Sequence, residues 1–225
     1  MRGANKSKAS YKKIRFCAEQ AAKDGLQYFW VDTCCIDKKN NTELSKAINS
    51  MFRWYQSAAK CYVYLPDVSI HDARINDQPF EQIWQPAFQK SRWFTRGWTL
   101  QELLAPKNVE FFASEGQRLG DKKGLAEEIH QITEIAVNAL HGSPLSEFSV
   151  EARMSWAKER RTKEEEDAAY SLLGIFDVSM PLIYGEGREK AMKRLWEEID
   201  KTETYQCPFE HRQGTASKHS LKSCR

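Results

Sequence analysis

Apolar residues spaced three and four apart mark most of the chain as helical, and a few short apolar runs read as strands. Over residues 11–24, Ile14, Cys17, Ala18 and Ala21 share one face, and Gly25 follows where a left-handed residue closes a helix. Over residues 42–60, Leu44, Ala47, Ile48, Met51, Phe52, Tyr55 and Ala59 repeat at the same spacing, behind Asn41 or Thr42 as N-cap. Residues 28–32, 61–65 and 109–113 are rich in aromatic and β-branched side chains and read as buried strands. Strand, long helix and strand over 28–65 predict a βαβ unit, and hence a parallel sheet. A less regular helix over 76–90 is expected to break at Pro86, and another over 98–104 stops before Pro106.

Beyond Gly120 the pattern predicts helices alone, over 122–133, 150–158, 163–173 and 188–199. The expected fold is α/β: a TIR/flavodoxin-like parallel sheet flanked by helices, with a helical C-terminal annex. The domain reading divides the chain into a basic, disordered stretch at 1–10, a folded domain at 11–199 and a disordered tail at 200–225. Within the domain, 11–118 forms the α/β part and 119–199 the annex.

Composition narrows the function classes. Of 225 residues, 41% are hydrophobic, enough for one substantial core. The 34 Lys and Arg against 31 Asp and Glu give a mixed surface of net charge +3, without the basic excess of a nucleic-acid binder. No apolar run approaches the roughly 20 residues needed to cross a bilayer. The first residues carry no apolar secretory core, so the cell interior, and specifically the cytoplasm, is the expected compartment. Cysteines at 17, 34, 35, 61, 207 and 224 are too sparse for a disulfide scaffold. The first four lie in apolar segments and are expected to pack as reduced, small hydrophobes.

Ligands of parallel sheets gather at the carboxyl ends of strands, which nominates the loop Asp32-Thr33-Cys34-Cys35-Ile36-Asp37 and Pro66-Asp67. Asp32 and Asp37 suit a ribose hydroxyl, a Mg²⁺ ion shared with Asp67, or plain turn capping. Cys34 and Cys35 lack a nearby histidine to act as base. Trp98 and Glu102 stand one helical turn apart, where an indole beside a carboxylate raises its pKa for proton transfer or for steadying an oxocarbenium-like state. The plain alternative pairs Glu102 with Arg92 or Arg96 at the surface. Tyr184-Gly185-Glu186-Gly187-Arg188 could offer backbone N–H groups to a phosphate, but reads better as a tight turn. Cys207, His211, His219 and Cys224 depart from zinc-site spacings, so no metal is expected.

Several blocks in order resemble one family. Trp30-Val31-Asp32-Thr33-Cys34-Cys35-Ile36-Asp37 with ELSKAINSM at 43–51 is followed by SRWFTRGWTLQEL at 91–103, EDAAYSLLG at 166–174 and PLIYGEG at 181–187. Together they resemble fungal heterokaryon-incompatibility (HET) domains over residues 11–199. The resemblance implies an effector of programmed cell death in fungal non-self recognition. It also implies HET–HET self-association as a homo-oligomer and a receptor partner carrying a nucleotide-binding oligomerisation domain and a WD-repeat array.

HET domains have been likened to Toll/interleukin-1 receptor (TIR) domains. Trp98 to Leu103 is similar to the helix that carries the catalytic glutamate in NAD-cleaving plant members. On that likeness Glu102 and Asp32 become the catalytic candidates, with Thr33, Cys35, Asp37, Arg92 and Trp98 as substrate-binding candidates. NAD enters as substrate and no resident cofactor is implied. The chain departs from the family in two places: the usual first strand with a Ser-His-x-Trp motif is not seen, and residues 200–225 differ from the usual continuation. A truncated, inactive member and a non-catalytic signalling module therefore stand as alternatives.

Overall fold

The computed structural model describes residues 9–71 and 79–206. Helix α1 (Ala9–Lys23) ends at Gly25, whose positive φ of 71° is the left-handed turn its position requires. Helix α3 (Asn41–Ser57) starts at Asn40, whose side chain accepts from the Thr42 and Glu43 amides, and it buries Ala47, Ile48 and Met51. Strand β1 (Cys61–Tyr64) follows directly.

The expected strand at 28–32 does not form. Tyr28 is 87% exposed, Trp30 packs edge-on against Trp54 and Tyr55 of α3, and Asp32–Cys35 is a single helical turn, α2. Three adjacent aromatic residues suit a strand only if both its faces are covered. Here the ring of Trp30 lies along the outside of α3 and only Val31 is buried. The βαβ unit therefore lies further along. It runs from β1 through α4 (Phe80–Gln89), a 3-10 turn at Arg92–Thr95 and α5 (Thr99–Leu104) to β2 (Val109–Phe112), which pairs parallel with β1. Helix α4 passes through Pro86 unbroken, because Trp84 and Phe88 on either side are buried and hold it.

The sheet is small and mixed: β3 (Arg118–Asp121) joins β2 antiparallel, giving the order β1-β2-β3. This hairpin replaces the helical start expected at 122. Helix α6 (Ala126–Thr133) begins only after a turn in which the Asp121 carboxylate accepts from the Lys123 and Gly124 amides. Then come α7 (Val137–His141), α8 (Val150–Ser155), α9 (Asp167–Tyr170) and α10 (Arg188–Gln206). Helix α10 thus continues through 200–206, and residues 207–225, with the Cys207 to Cys224 set, lie outside the described residues.

One core joins the sheet to the later helices. Phe111 of β2, Leu103 of α5, Ile129 of α6, Tyr170 of α9 and Leu195 of α10 all belong to it and are essentially inaccessible. No helix among the described residues is long and apolar enough to cross a membrane.

Candidate functional site

Helix α5 carries Glu102 on its first turn, between buried Gln101 and Leu103. Trp93, on the preceding 3-10 turn, donates its indole N–H to Glu102 Oε2 at 3.4 Å. The side chain keeps some accessible surface, yet protein atoms surround the carboxylate on nearly every side. That burial is the largest influence on its pKa and raises it above the usual glutamate range. Lys13 of α1 and Arg96 pull it back down, and the Asp32 carboxylate pushes it further up. Tyr55 of α3 completes the group: burial, then the Glu102 charge, holds its hydroxyl well above the ordinary tyrosine range. The pairing of Glu102 with Arg92 or Arg96 does not form among the described ion pairs; Arg92 instead faces Asp67 at 3.6 Å.

Of the residues nominated from sequence, Asp32 and Glu102 do share one electrostatic neighbourhood. Asp32 begins α2 and accepts from the Thr33 hydroxyl at 3.1 Å. Thr33, Cys34 and Cys35 are exposed, which corrects the expectation that both cysteines pack inside. A four-residue turn has one inward position per side, and Val31 and Ile36 flank it as the buried pair. Cys35 Sγ accepts from the Val31 amide at 3.5 Å, and partial desolvation, followed by the adjoining Cys35 thiol, raises the Cys34 thiol, which disfavours a thiolate nucleophile there.

Asp37 belongs to the turn before α3. Its carboxylate accepts from the Lys39 amide at 3.0 Å, and its own amide donates to Glu43. Asp67 accepts from the Ser91 hydroxyl and the Arg92 amide at 2.9 Å each, so it anchors the 3-10 turn. Among the described residues no cluster of acids, histidines or cysteines could hold a metal ion.

Trp98 stands one turn from Glu102 as expected, but its indole N–H donates to Asp167 at 2.9 Å and its ring packs on Ile36, Ala47 and Met51. It is Trp93, not Trp98, that touches the carboxylate. The phosphate reading of 184–188 also fails on contact. The Glu166 carboxylate already accepts from the Gly185 and Gly187 amides at 2.8 Å each, occupying the place an anion would take.

What fixes α5 comes from far along the chain. Buried Arg160 donates from Nη1 to the Arg96 carbonyl at 2.9 Å and to the Thr99 hydroxyl at 3.0 Å. Burial pushes its pKa down to about 10, against the pull of the Glu102 charge. The Gly97 amide donates to the Arg161 carbonyl at 2.9 Å, and a Cβ at Gly97 would collide with the Thr162 methyl. Lys13, Tyr55, Trp93 and Arg160 were not foreseen as site residues. For Tyr55 the helical period signalled only core, and nothing local links Lys13 or Arg160 to position 102.

The heterokaryon incompatibility protein (HET) family model matches residues 5–89. The vegetative incompatibility protein HET-E-1 of Podospora anserina is 63% identical over 195 residues, which is 87% of this chain and 14% of that protein. The chain belongs to the HET family. It spans about one-seventh of the length of that relative. No solved structure matches it. The family match contains the Asp32 loop, α3 and β1, and stops short of Trp93 and Glu102. In this HET chain the carboxylate therefore lies outside the matched stretch while facing residues within it.

Proposed function

We propose that this chain is the effector part of a vegetative incompatibility protein, acting in the cytoplasm in fungal non-self recognition, and that it triggers cell death by cleaving NAD at the nicotinamide–ribose bond. The 63% identity to HET-E-1 supports the incompatibility role. The observation that carries the chemistry is Glu102, a carboxylate largely stripped of water beside the Asp32 charge. An anion whose burial is unfavourable in the resting site gains most when positive charge develops next to it, which is how a positioned group lowers a barrier. In this reading the C1′–N bond breaks with its electron pair leaving on nicotinamide, and Glu102 steadies the ribosyl cation. Asp32 holds the sugar hydroxyls, water adds at C1′, and its proton passes to solvent. The TIR/flavodoxin-like part of the reading rests on the parallel β1–β2 pair and its helical crossover.

The unit that acts is residues 11–199, with the α/β part at 11–118 supported by the annex at 119–199. Clustering by a nucleotide-binding, WD-repeat receptor, or through HET–HET contacts, activates it. A second reading, a non-catalytic module that signals by self-association, draws on one observation: Tyr28, Phe29, Trp30 and Trp54 expose a run of large apolar side chains.

The two separate on one experiment. Nicotinamide release is followed with concentrated or artificially clustered protein, beside Glu102→Ala matched by circular dichroism. Release that depends on Glu102 is expected. Killing retained by Glu102→Ala with no NAD loss in either protein would overturn the enzymatic reading and leave the signalling module.

A further inference from the structure

A second cavity lies away from Glu102, where the β3–α6 turn meets α3, the α5–β2 turn, the 142–149 segment and the end of α10. Its volume is about 1050 Å³, within reach of a small organic ligand. Lys122 lines it and is only 2% exposed, yet its ammonium group is given one acceptor, the Pro106 carbonyl at 2.7 Å. Among the described residues no carboxylate pairs with it. An ammonium group carries three donors, and taking its charge out of water costs several kcal/mol unless an opposite charge compensates. Burial accordingly pushes its pKa down to about 8.

The surrounding charge repeats the theme. Arg53, Lys107, Lys123 and Arg153 line the same cavity, against two carboxylates, Glu147 and Asp177, which are exposed. The Arg153 guanidinium sits over the Phe176 ring at 4.6 Å. Phe52, Phe148 and Phe176 give the wall an apolar, aromatic part next to the cations.

We propose that this groove binds a soluble phosphate ester, with the phosphate on Lys122 and its cationic neighbours and the organic part against the phenylalanine wall. The missing counter-charge at Lys122 is what a phosphate supplies, and the donors around it match an anion with several acceptor oxygens. The aromatic wall favours a nucleotide over bare phosphate. The site is separate from Glu102, so it serves as a place where a small metabolite tunes the domain rather than as a second active centre.

Titration calorimetry with inorganic pyrophosphate and with ADP, at moderate ionic strength, tests it on the whole chain. One saturable site per chain is expected, with ADP tighter than pyrophosphate. Lys122→Met, which keeps the buried volume, should weaken both by about tenfold or more. The exposed pair Lys107→Ala and Lys123→Ala, which leaves the fold alone, should weaken both by several-fold, and Glu102→Gln should change neither. No saturable binding, or binding that Lys122→Met and the exposed pair leave unaltered, overturns the proposal. Binding only to vesicles containing phosphatidylinositol 4-phosphate, with none of the soluble probes, overturns it too.

Discussion

Glu102 and Lys122 are charged groups of opposite sign, both drawn out of water, and they are treated in opposite ways. Around Glu102 the chain gathers an indole donor, a buried phenol and two cations from three stretches: Trp93 and Arg96 at the 3-10 turn, Tyr55 on α3 and Lys13 on α1. Around Lys122 it supplies a single backbone carbonyl and further positive charge. A carboxylate with internal partners holds its position through a reaction, whereas an ammonium group without them is completed only by a ligand. In the proposed reading the first region carries the chemistry and the second the binding.

The largest effect should fall on the acidic side alone. Glu102→Gln is expected to lower NAD turnover by about a hundredfold or more with the circular dichroism spectrum unchanged, as when one preorganised electrostatic group is removed. Turnover within a few-fold of the parent would break the contrast at its catalytic end.

Next in size is Gly174→Ala. A Cβ there would run into Phe52, which lines the basic groove, so the substitution should cost about 2–3 kcal/mol in urea unfolding and disturb pyrophosphate binding more than turnover. An unchanged urea midpoint would mean that Phe52 moves aside freely. Trp98→Phe keeps the ring's packing and removes its bond to the Asp167 carboxylate. A loss of about 1–2 kcal/mol is expected, together with lower turnover, because the indole braces α5. Equal turnover with reduced stability would separate the brace from the site.

The smallest effect concerns pH. Burial raises Glu102 above its ordinary 4.5, so between that value and the raised one the folded chain binds a proton more readily than the unfolded chain. Stability from this group therefore falls as pH climbs through that window, and above it the penalty is fully present. Glu102→Gln removes the penalty, so its melting temperature should exceed the parent's at neutral pH by a few degrees, and the two should converge below about pH 4. A gap of constant size across pH would show that the difference is packing and not charge.

Elements held by local rules were the legible ones. The periodicity of 42–60 makes α3 readable, although its cap is Asn40 and not the expected Asn41 or Thr42, and the aromatic and β-branched runs at Cys61–Tyr64 and Val109–Phe112 mark β1 and β2. The strand expected at 28–32 failed because a run of aromatic residues cannot announce whether a neighbouring strand will cover it. Strand β3, with Arg118, Gly120 and Asp121 among its four residues, is held by pairing to β2 rather than by its own propensity.

The site follows the same division. Asp32 and Glu102 were named from loop position, helical spacing and family likeness, and the fold brings them together. Trp93, Lys13 and Tyr55 reach Glu102 across distances in sequence that no local pattern encodes. Lys122 was invisible for the opposite reason, since a lysine after a strand ordinarily reads as solvated surface.

The hold of Arg160 and Arg161 on the start of α5 has a consequence for how such a domain can be inherited or transplanted. Moving the family-matched stretch 5–89 into another protein would carry the Asp32 loop and the aromatic face of α3 without the carboxylate. A cut after Leu104 would carry the carboxylate on a helix whose guanidinium clamp was left behind. Any junction between 104 and 160 separates Glu102 from the guanidinium that holds the start of its helix.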